Sequence, residues 1–130
     1  MFDAGRTLFN IVIKLNPGIY VFDDYEAATG KTRLYNELRD DSSLFGKVLA
    51  VNFADVCSRG VDVNKLVKNG NYELIVLDRY DRMPGIDKEV LINASKHSII
   101  LIDCRDTGDW VYGTDFCRIE MHKNGIEVYK

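Results

Sequence analysis

The residues of this sequence best suited to chemistry are Thr29, Gly30, Lys31 and Thr32, which follow one another directly. At the start of a helix the backbone N–H groups lack partners, and the helix dipole adds partial positive charge, so such a turn binds anions. Gly30 would let a phosphate approach the backbone closely. The Lys31 ammonium would lie against the outer phosphates, and the Thr32 hydroxyl has the right length to ligate a bridging magnesium ion.

Short apolar segments and amphipathic segments alternate around this turn. A helix is predicted at 3–15, with a strand at 9–15 as its alternative, and further helices at 33–39, 61–68 and 87–96. Strands are predicted at 19–22, 47–53, 72–77 and 98–104. The last two strands contain unbroken apolar runs, which fits burial on both faces of a sheet. Alternation of such strands with helices predicts a parallel sheet.

The C-terminal part of the chain has a different pattern. Segments 116–123 and 126–130 flank Asn124-Gly125, which is the strongest short signal for a hairpin. A two-residue loop at this dipeptide predicts an antiparallel β-hairpin in which Met121 faces Val128 and His122 faces Glu127. We therefore expect one α/β domain over residues 1–130, closed by this hairpin.

The segment Tyr25-Glu-Ala-Ala-Thr-Gly-Lys-Thr32 resembles the phosphate-binding motif of the P-loop NTPase superfamily, which is a Gly, four variable residues and then Gly-Lys-Ser/Thr. The order of predicted strands and helices over roughly residues 19–104 is also similar. The resemblance implies a three-layer, mostly parallel sheet flanked by helices. It also implies binding of ATP or another nucleoside triphosphate by Thr29, Gly30, Lys31 and Thr32, with Mg²⁺ held in part by Thr32.

The apolar strand that ends at Asp78 is similar to the second element of this family, in which an acidic residue orients magnesium through water. An Asp in this position also forms turns or caps helices. Hydrolysing relatives of the AAA and ABC types follow it with a Glu that polarises the attacking water. Here Arg79 follows, and Asp81 would take that role if the chain turns helically. Asp103 has the position of a polar residue that senses the γ-phosphate, with pairing to Arg105 as the alternative.

Two functions stay open. The first is a P-loop domain that binds ATP with Mg²⁺ and is a weak or partner-dependent NTPase. The second is a degenerate P-loop fold that binds no nucleotide and acts as a protein interaction module. Tyr25 in place of the first glycine favours the second function, as do Asp23, Asp24 and Glu26, whose charges repel a triphosphate. A metabolite kinase needs an additional lid, for which 130 residues leave no room.

The composition excludes several other classes. With 130 residues and 46% hydrophobic content the chain builds one core, and its net charge of -3 does not indicate nucleic-acid binding. No apolar run approaches the roughly 20 residues that span a bilayer, and the first residues do not resemble a secretory signal. The three cysteines are widely spaced. We expect a cytoplasmic protein whose partners are the nucleotide and another protein or a second copy of the chain.

Overall fold

The computed structural model describes residues 14–23, 48–104, 106–122 and 125–129. The predicted binding turn at 29–32 and the predicted helix at 33–39 lie outside these ranges, as does the predicted helix at 3–15 apart from Lys14 and Leu15, which form a turn and a bend. The described elements are β1 (Gly18–Asp23), β2 (Val48–Asn52), α1 (Phe53–Arg59), α2 (Val63–Asn69), β3 (Leu74–Asp78), a 3₁₀ helix (Tyr80–Arg82), α3 (Lys88–Ala94), β4 (Ile99–Cys104), β5 (Cys117–His122) and β6 (Gly125–Tyr129).

The described strands form one six-stranded sheet in the order β2-β3-β4-β1-β5-β6. Strands β1 to β5 run parallel, and β6 pairs antiparallel with β5. The fold is therefore mixed α/β with a mostly parallel sheet, which confirms this part of the prediction. Strand β1 lies inside the sheet between β4 and β5. The chain passes from β1 to the edge strand β2 in one direction and from β4 to β5 in the opposite direction.

Both faces of the sheet are buried. The face that carries the described helices forms what we call the first cluster, whose buried members are Ile19, Val21, Val51, Val63, Val67, Ile75, Leu77, Met83, Val90, Leu91, Ala94, Ile100, Ile102, Cys104, Trp110 and Phe116. The opposite face forms the second cluster: Tyr20, Phe22, Leu74, Val76, Ile99, Leu101 and Ile119. Each fully buried Leu or Ile contributes about 1.5–3 kcal/mol, so the apolar runs of β3 and β4 dominate the core.

Helix α1 was not predicted, because the expected strand at 47–53 extended through its first residue. The strand ends instead at Asn52, whose Oδ1 accepts a hydrogen bond from the Asp55 N–H at 2.9 Å. The Asp55 carboxylate in turn accepts from the Asn52 N–H at 3.0 Å. This reciprocal capping box begins the helix, and Gly60, with φ 68° in the left-handed region, ends it.

The predicted helices at 61–68 and 87–96 are confirmed with shorter or shifted limits, and an aspartate caps the start of each. Asp62 accepts from the Lys65 N–H at 3.1 Å, so α2 begins after Asp62 and not at 61. Asp87 accepts from the Glu89 N–H at 3.0 Å, which begins α3 at Lys88. A capping carboxylate has to precede the first helical turn, so each cap sets the helix start.

The predicted antiparallel pairing of β5 with β6 is observed, but the predicted register is wrong. The structure pairs His122 with Gly125 and Ile119 with Val128, so the two residues between the strands are 123 and 124. Ile119 is fully buried in the second cluster, and Val128 packs against the same cluster. The observed register differs from the predicted one by two residues, so Val128 keeps its face of the sheet but lies opposite the buried Ile119 and not opposite Met121.

The capping box gives the first testable prediction. Replacement of Asn52 by Ala removes the Oδ1 acceptor of the Asp55 N–H in the first turn of α1, so we expect the free energy of unfolding to fall by about 1–2 kcal/mol. Urea denaturation of the two proteins measures the difference. The control is Asn69→Ala at the exposed end of α2, for which we expect a change within about 0.5 kcal/mol. Equal effects of the two substitutions would contradict the capping role.

Candidate functional site

The carboxyl ends of the parallel strands bring polar residues into one row. In the register of the sheet, Asn52 is opposite Asp78, Asp78 is opposite Asp103, and Asp103 is opposite Phe22. Neighbouring strands lie about 4.8 Å apart, so the backbones of Asp78 and Asp103 are adjacent. Asp78 is the last residue of β3, as the sequence predicts, and Asp103 is followed by Cys104, the last residue of β4.

Asp78 and Asp103 also project to the same face of the sheet. Their preceding neighbours, Leu77 and Ile102, belong to the first cluster. Because successive side chains of a strand alternate between faces, both aspartates project to the side of the second cluster, where Phe22 lies. Each is partly buried. Two carboxylates on neighbouring strands of one face repel each other, and a bound cation would offset this repulsion.

The chain makes a strained turn directly after Asp78. Arg79 has φ 61° and ψ 47°, and among the described residues it is the one non-glycine with a positive φ. The left-handed conformation costs about 1–2 kcal/mol for a residue with a Cβ atom. The 3₁₀ helix Tyr80–Arg82 follows at once, so the chain does turn helically at Asp81, which was the condition for its suggested role. Backbone strain of this kind occurs frequently at functional sites.

A contact with the segment after β4 stabilises this turn. Trp110 Nε1 donates a hydrogen bond to the Tyr80 hydroxyl at 3.0 Å, and the two rings meet edge to face with centroids 5.9 Å apart. A hydrogen bond contributes about 1 kcal/mol and an aromatic pair about 0.5–1.5 kcal/mol. The contact is therefore of the same size as the strain at Arg79. Burial raises the pKa of the Tyr80 hydroxyl, which keeps it protonated.

Trp110 is itself fixed by a lysine of α3. The Lys88 ammonium lies 5.4 Å from the centre of the Trp110 ring and 2.6 Å from Oδ2 of Asp115. The same carboxylate accepts the Val111 N–H at 2.7 Å. Lys88 also donates to the carbonyl oxygen of Asp109 at 3.3 Å. These contacts attach segment 106–116 to α3, and the hydrogen bond from Lys88 is the main cause that lowers the pKa of Asp115.

Asp81 lies apart from the two edge aspartates. It lines a cleft of about 290 Å³ together with Lys88, Asp109 and Trp110. Tyr80 and Met83, on either side of it in the chain, pack with the first cluster. The cleft is thus on the side of the sheet opposite to the one that Asp78 faces. The structure brings Asp78 together with Asp103, whereas Asp81, three residues after Asp78, lines the cleft on the opposite face.

The remaining predicted site residues are outside the described ranges. Thr29, Gly30, Lys31 and Thr32 all belong to the segment between β1 and β2, of which the structure describes nothing before Val48. The link between Tyr80 and Trp110 was missed by the sequence reasoning. The two residues are 30 positions apart in the chain, so no local spacing could indicate their contact.

Comparison with known proteins gives no match, neither to a protein-family model nor to a curated protein. In the part of the chain that the structure describes, no helix is long and apolar enough to cross a membrane. The same part contains no group of three or more His, Cys, Asp or Glu residues that could hold a metal ion.

The turn after Asp78 predicts a difference between two substitutions that remove the same side chain. Gly adopts the left-handed conformation without a Cβ penalty, whereas Ala does not. We expect Arg79→Gly to unfold at a higher urea concentration than Arg79→Ala, with a difference of about 1 kcal/mol in the free energy of unfolding. An alanine variant as stable as the glycine variant would mean that Arg79 is not held in this conformation.

The contact of Lys88 with Asp115 predicts a pH dependence of stability. The pKa of Asp115 is below its usual value of 3.8 in the folded chain, so its ionised form stabilises the fold above that pH. We expect wild type to be more stable than Asp115→Asn at neutral pH, and the difference to vanish as the pH falls through the lowered pKa. Thermal unfolding against pH measures it. In a Lys88→Gln background the pH-dependent difference should be smaller, and an unchanged one would contradict the assignment.

Proposed function

We propose that this chain is a nucleoside-triphosphate-binding domain of the P-loop type that binds ATP with Mg²⁺ and hydrolyses it weakly or only with a protein partner. The observation that carries the proposal is the in-register pair of Asp78 and Asp103 on one face, at the carboxyl edge of the sheet. In the sequence, Thr29-Gly30-Lys31-Thr32 follows soon after β1, whose last residue, Asp23, is in register with the end of β4.

The strand order supports a ligand site at this edge. In open parallel sheets, ligands bind outside the carboxyl ends of the strands at the point where the strand order reverses. Here the reversal occurs at β1, because the chain leaves it toward β2 whereas β4 connects to β5 in the opposite direction. Asp103 belongs to the strand next to β1, and Asp78 to the strand beyond it. Both aspartates are therefore near the expected crevice.

A three-layer arrangement is part of the same proposal. The connections that lead from β2 to β3, β3 to β4 and β4 to β5 run in one direction, and all contribute side chains to the first cluster. Connections between parallel strands are right-handed, so a connection in the opposite direction covers the opposite face. Each described helix packs against the first cluster, yet the second cluster is also buried. Burial of the second cluster supports a further layer on its face of the sheet.

The residues at the edge fit a magnesium ion bound with a nucleotide. Mg²⁺ prefers oxygen ligands, takes one or two from the protein and completes its shell with phosphate oxygens and water. In this proposal Asp78 and the Thr32 hydroxyl serve the metal, and Thr29, Gly30 and Lys31 bind the phosphates. When bound, the ion would neutralise charge that develops on the transferred phosphoryl group. Asp103 has the position of a residue that senses the terminal phosphate.

Weak hydrolysis follows from the position of Asp81. As the sequence-based candidate for polarising the attacking water, this residue would have to be close to the metal site. It lines the cleft on the other side of the sheet. We therefore propose that efficient hydrolysis needs a group from a protein partner or a second copy of the chain. A cytoplasmic location, where ATP and Mg²⁺ are available, belongs to the same proposal.

The competing function is a degenerate P-loop module that binds a protein and no nucleotide. It is favoured by Tyr25 at the position of the first glycine and by the acidic residues Asp23, Asp24 and Glu26 around it. A carboxylate near the phosphates would weaken triphosphate binding unless it faces the metal. The two functions differ in one property, which is the affinity for ATP with Mg²⁺.

Thermal unfolding with and without ATP and Mg²⁺ tests the proposal. At 100 times its Kd a ligand adds about 2.7 kcal/mol to the free energy of unfolding, so we expect a clear rise in Tm. Lys31→Ala should abolish the rise, and Lys14→Ala, at an exposed lysine, should retain it. Asp78→Asn should remove the part that depends on Mg²⁺. No rise at millimolar ATP would favour the degenerate module, and a phosphate-release assay separates binding from hydrolysis.

A further inference from the structure

We infer that Tyr80 is a positioning residue of the proposed magnesium site: held by Trp110, it keeps Arg79 in the left-handed conformation and so fixes the chain where it leaves Asp78. This inference rests on the proposed function and deepens it. It assigns the segment after β4 to the site, although that segment contains none of the predicted ligand residues.

The sheet stops holding the chain at Asp78. Asp78 is the last residue of β3 and is paired with Asn52 on one side and Asp103 on the other. Arg79 follows outside the ladder in a strained conformation. If Arg79 relaxed, the chain direction at Asp78 would change, because this residue is joined to the strained one by a single peptide bond.

The strain at Arg79 is offset in part by a backbone hydrogen bond, in which the Arg79 carbonyl accepts the Arg82 N–H at 2.9 Å, and in part by contacts of Tyr80. Tyr80 packs its ring edge to face against Trp110 and accepts a hydrogen bond from the Trp110 indole. Trp110 is 8% exposed and is also in edge contact with Phe116, with ring centroids 6.5 Å apart. Lys88 covers its ring from α3. The partner of Tyr80 is thus part of the core and can resist relaxation of the turn.

Tyr80 acts on the proposed site through the backbone. Its hydroxyl is engaged by Trp110, and its ring packs with the first cluster. Asp78 projects to the side of the second cluster. Tyr80 therefore touches neither the proposed metal nor the nucleotide, and its effect on them has to pass through Arg79.

The experiment measures the Kd of ATP twice for each protein, once with Mg²⁺ and once with EDTA, by isothermal titration calorimetry. The Kd measured with EDTA divided by the Kd measured with Mg²⁺ reports how well Asp78 serves the ion. For Tyr80→Phe, which removes only the hydroxyl, we expect this ratio to fall roughly tenfold, the lower end of the effect of residues that orient metal ligands. The matched control is Tyr112→Phe at an exposed tyrosine, which should leave the ratio unchanged.

A second pair of variants tests the stated mechanism. Arg79→Gly in the Tyr80→Phe protein should restore the ratio, because glycine adopts the left-handed conformation without support. Arg79→Ala in the same protein should not restore it. A purely structural role of Tyr80 would lower Tm in both double variants and leave the ratio at its wild-type value.

The outcomes separate the inference from the proposed function. If the wild type binds ATP more tightly with Mg²⁺ and the ratio of the two Kd values is the same for Tyr80→Phe, the inference is overturned and the proposed function stands. Failure of the glycine rescue also overturns it. If the wild type binds no ATP, the proposed function fails and this inference fails with it.

Discussion

Parallel pairing of β3 with β4, and of β4 with β1, is the interaction on which the rest of the structure depends. It aligns the apolar runs so that alternate residues fill the first and second clusters. The same register sets Asp78 beside Asp103 once the apolar residues end. A shift of one residue between the strands would turn the apolar side chains to the wrong face, so burial of the core also fixes the geometry of the site.

The edge of the sheet differs from its centre in how the chain is held. Within the strands, backbone hydrogen bonds on both sides fix each residue. Beyond Asp78, the carbonyl oxygen of the strained Arg79 accepts the Arg82 N–H at 2.9 Å, and the contact of Tyr80 with Trp110 gives the turn additional support. Trp110 comes from the connection between β4 and β5, which Lys88 and Asp115 attach to α3. The stability of the turn therefore depends on three elements that are distant in sequence.

The sequence was sufficient to predict what depends on local patterns. The strands around Ile75 and Ile100 were identified by their apolar runs, and the parallel sheet followed from the alternation of elements. The start of α1 was missed because apolar residues continue from β2 into Phe53, and only the capping box between Asn52 and Asp55 separates the two elements.

Features that depend on contacts between residues distant in the chain could not be predicted from the sequence. The hairpin register was set by burial of Ile119 and not by the Asn124-Gly125 signal. The face to which Asp78 projects, and its separation from Asp81, depend on the sheet register and on the packing of Tyr80. Spacing along the chain predicts which residues end strands, but it does not predict which of them meet.

The central claim is that the nucleotide binds at the carboxyl edge of the sheet. The most direct measurement is a titration of ¹⁵N-labelled protein with ATP and Mg²⁺, followed by amide chemical shifts in two-dimensional NMR spectra. We predict shifts for Asp78 and Asp103 at the carboxyl edge, with Leu74 and Ile99 at the opposite ends of the same strands unchanged. Saturable shifts confined to the amino edge, or no shifts at millimolar ATP, would contradict the account.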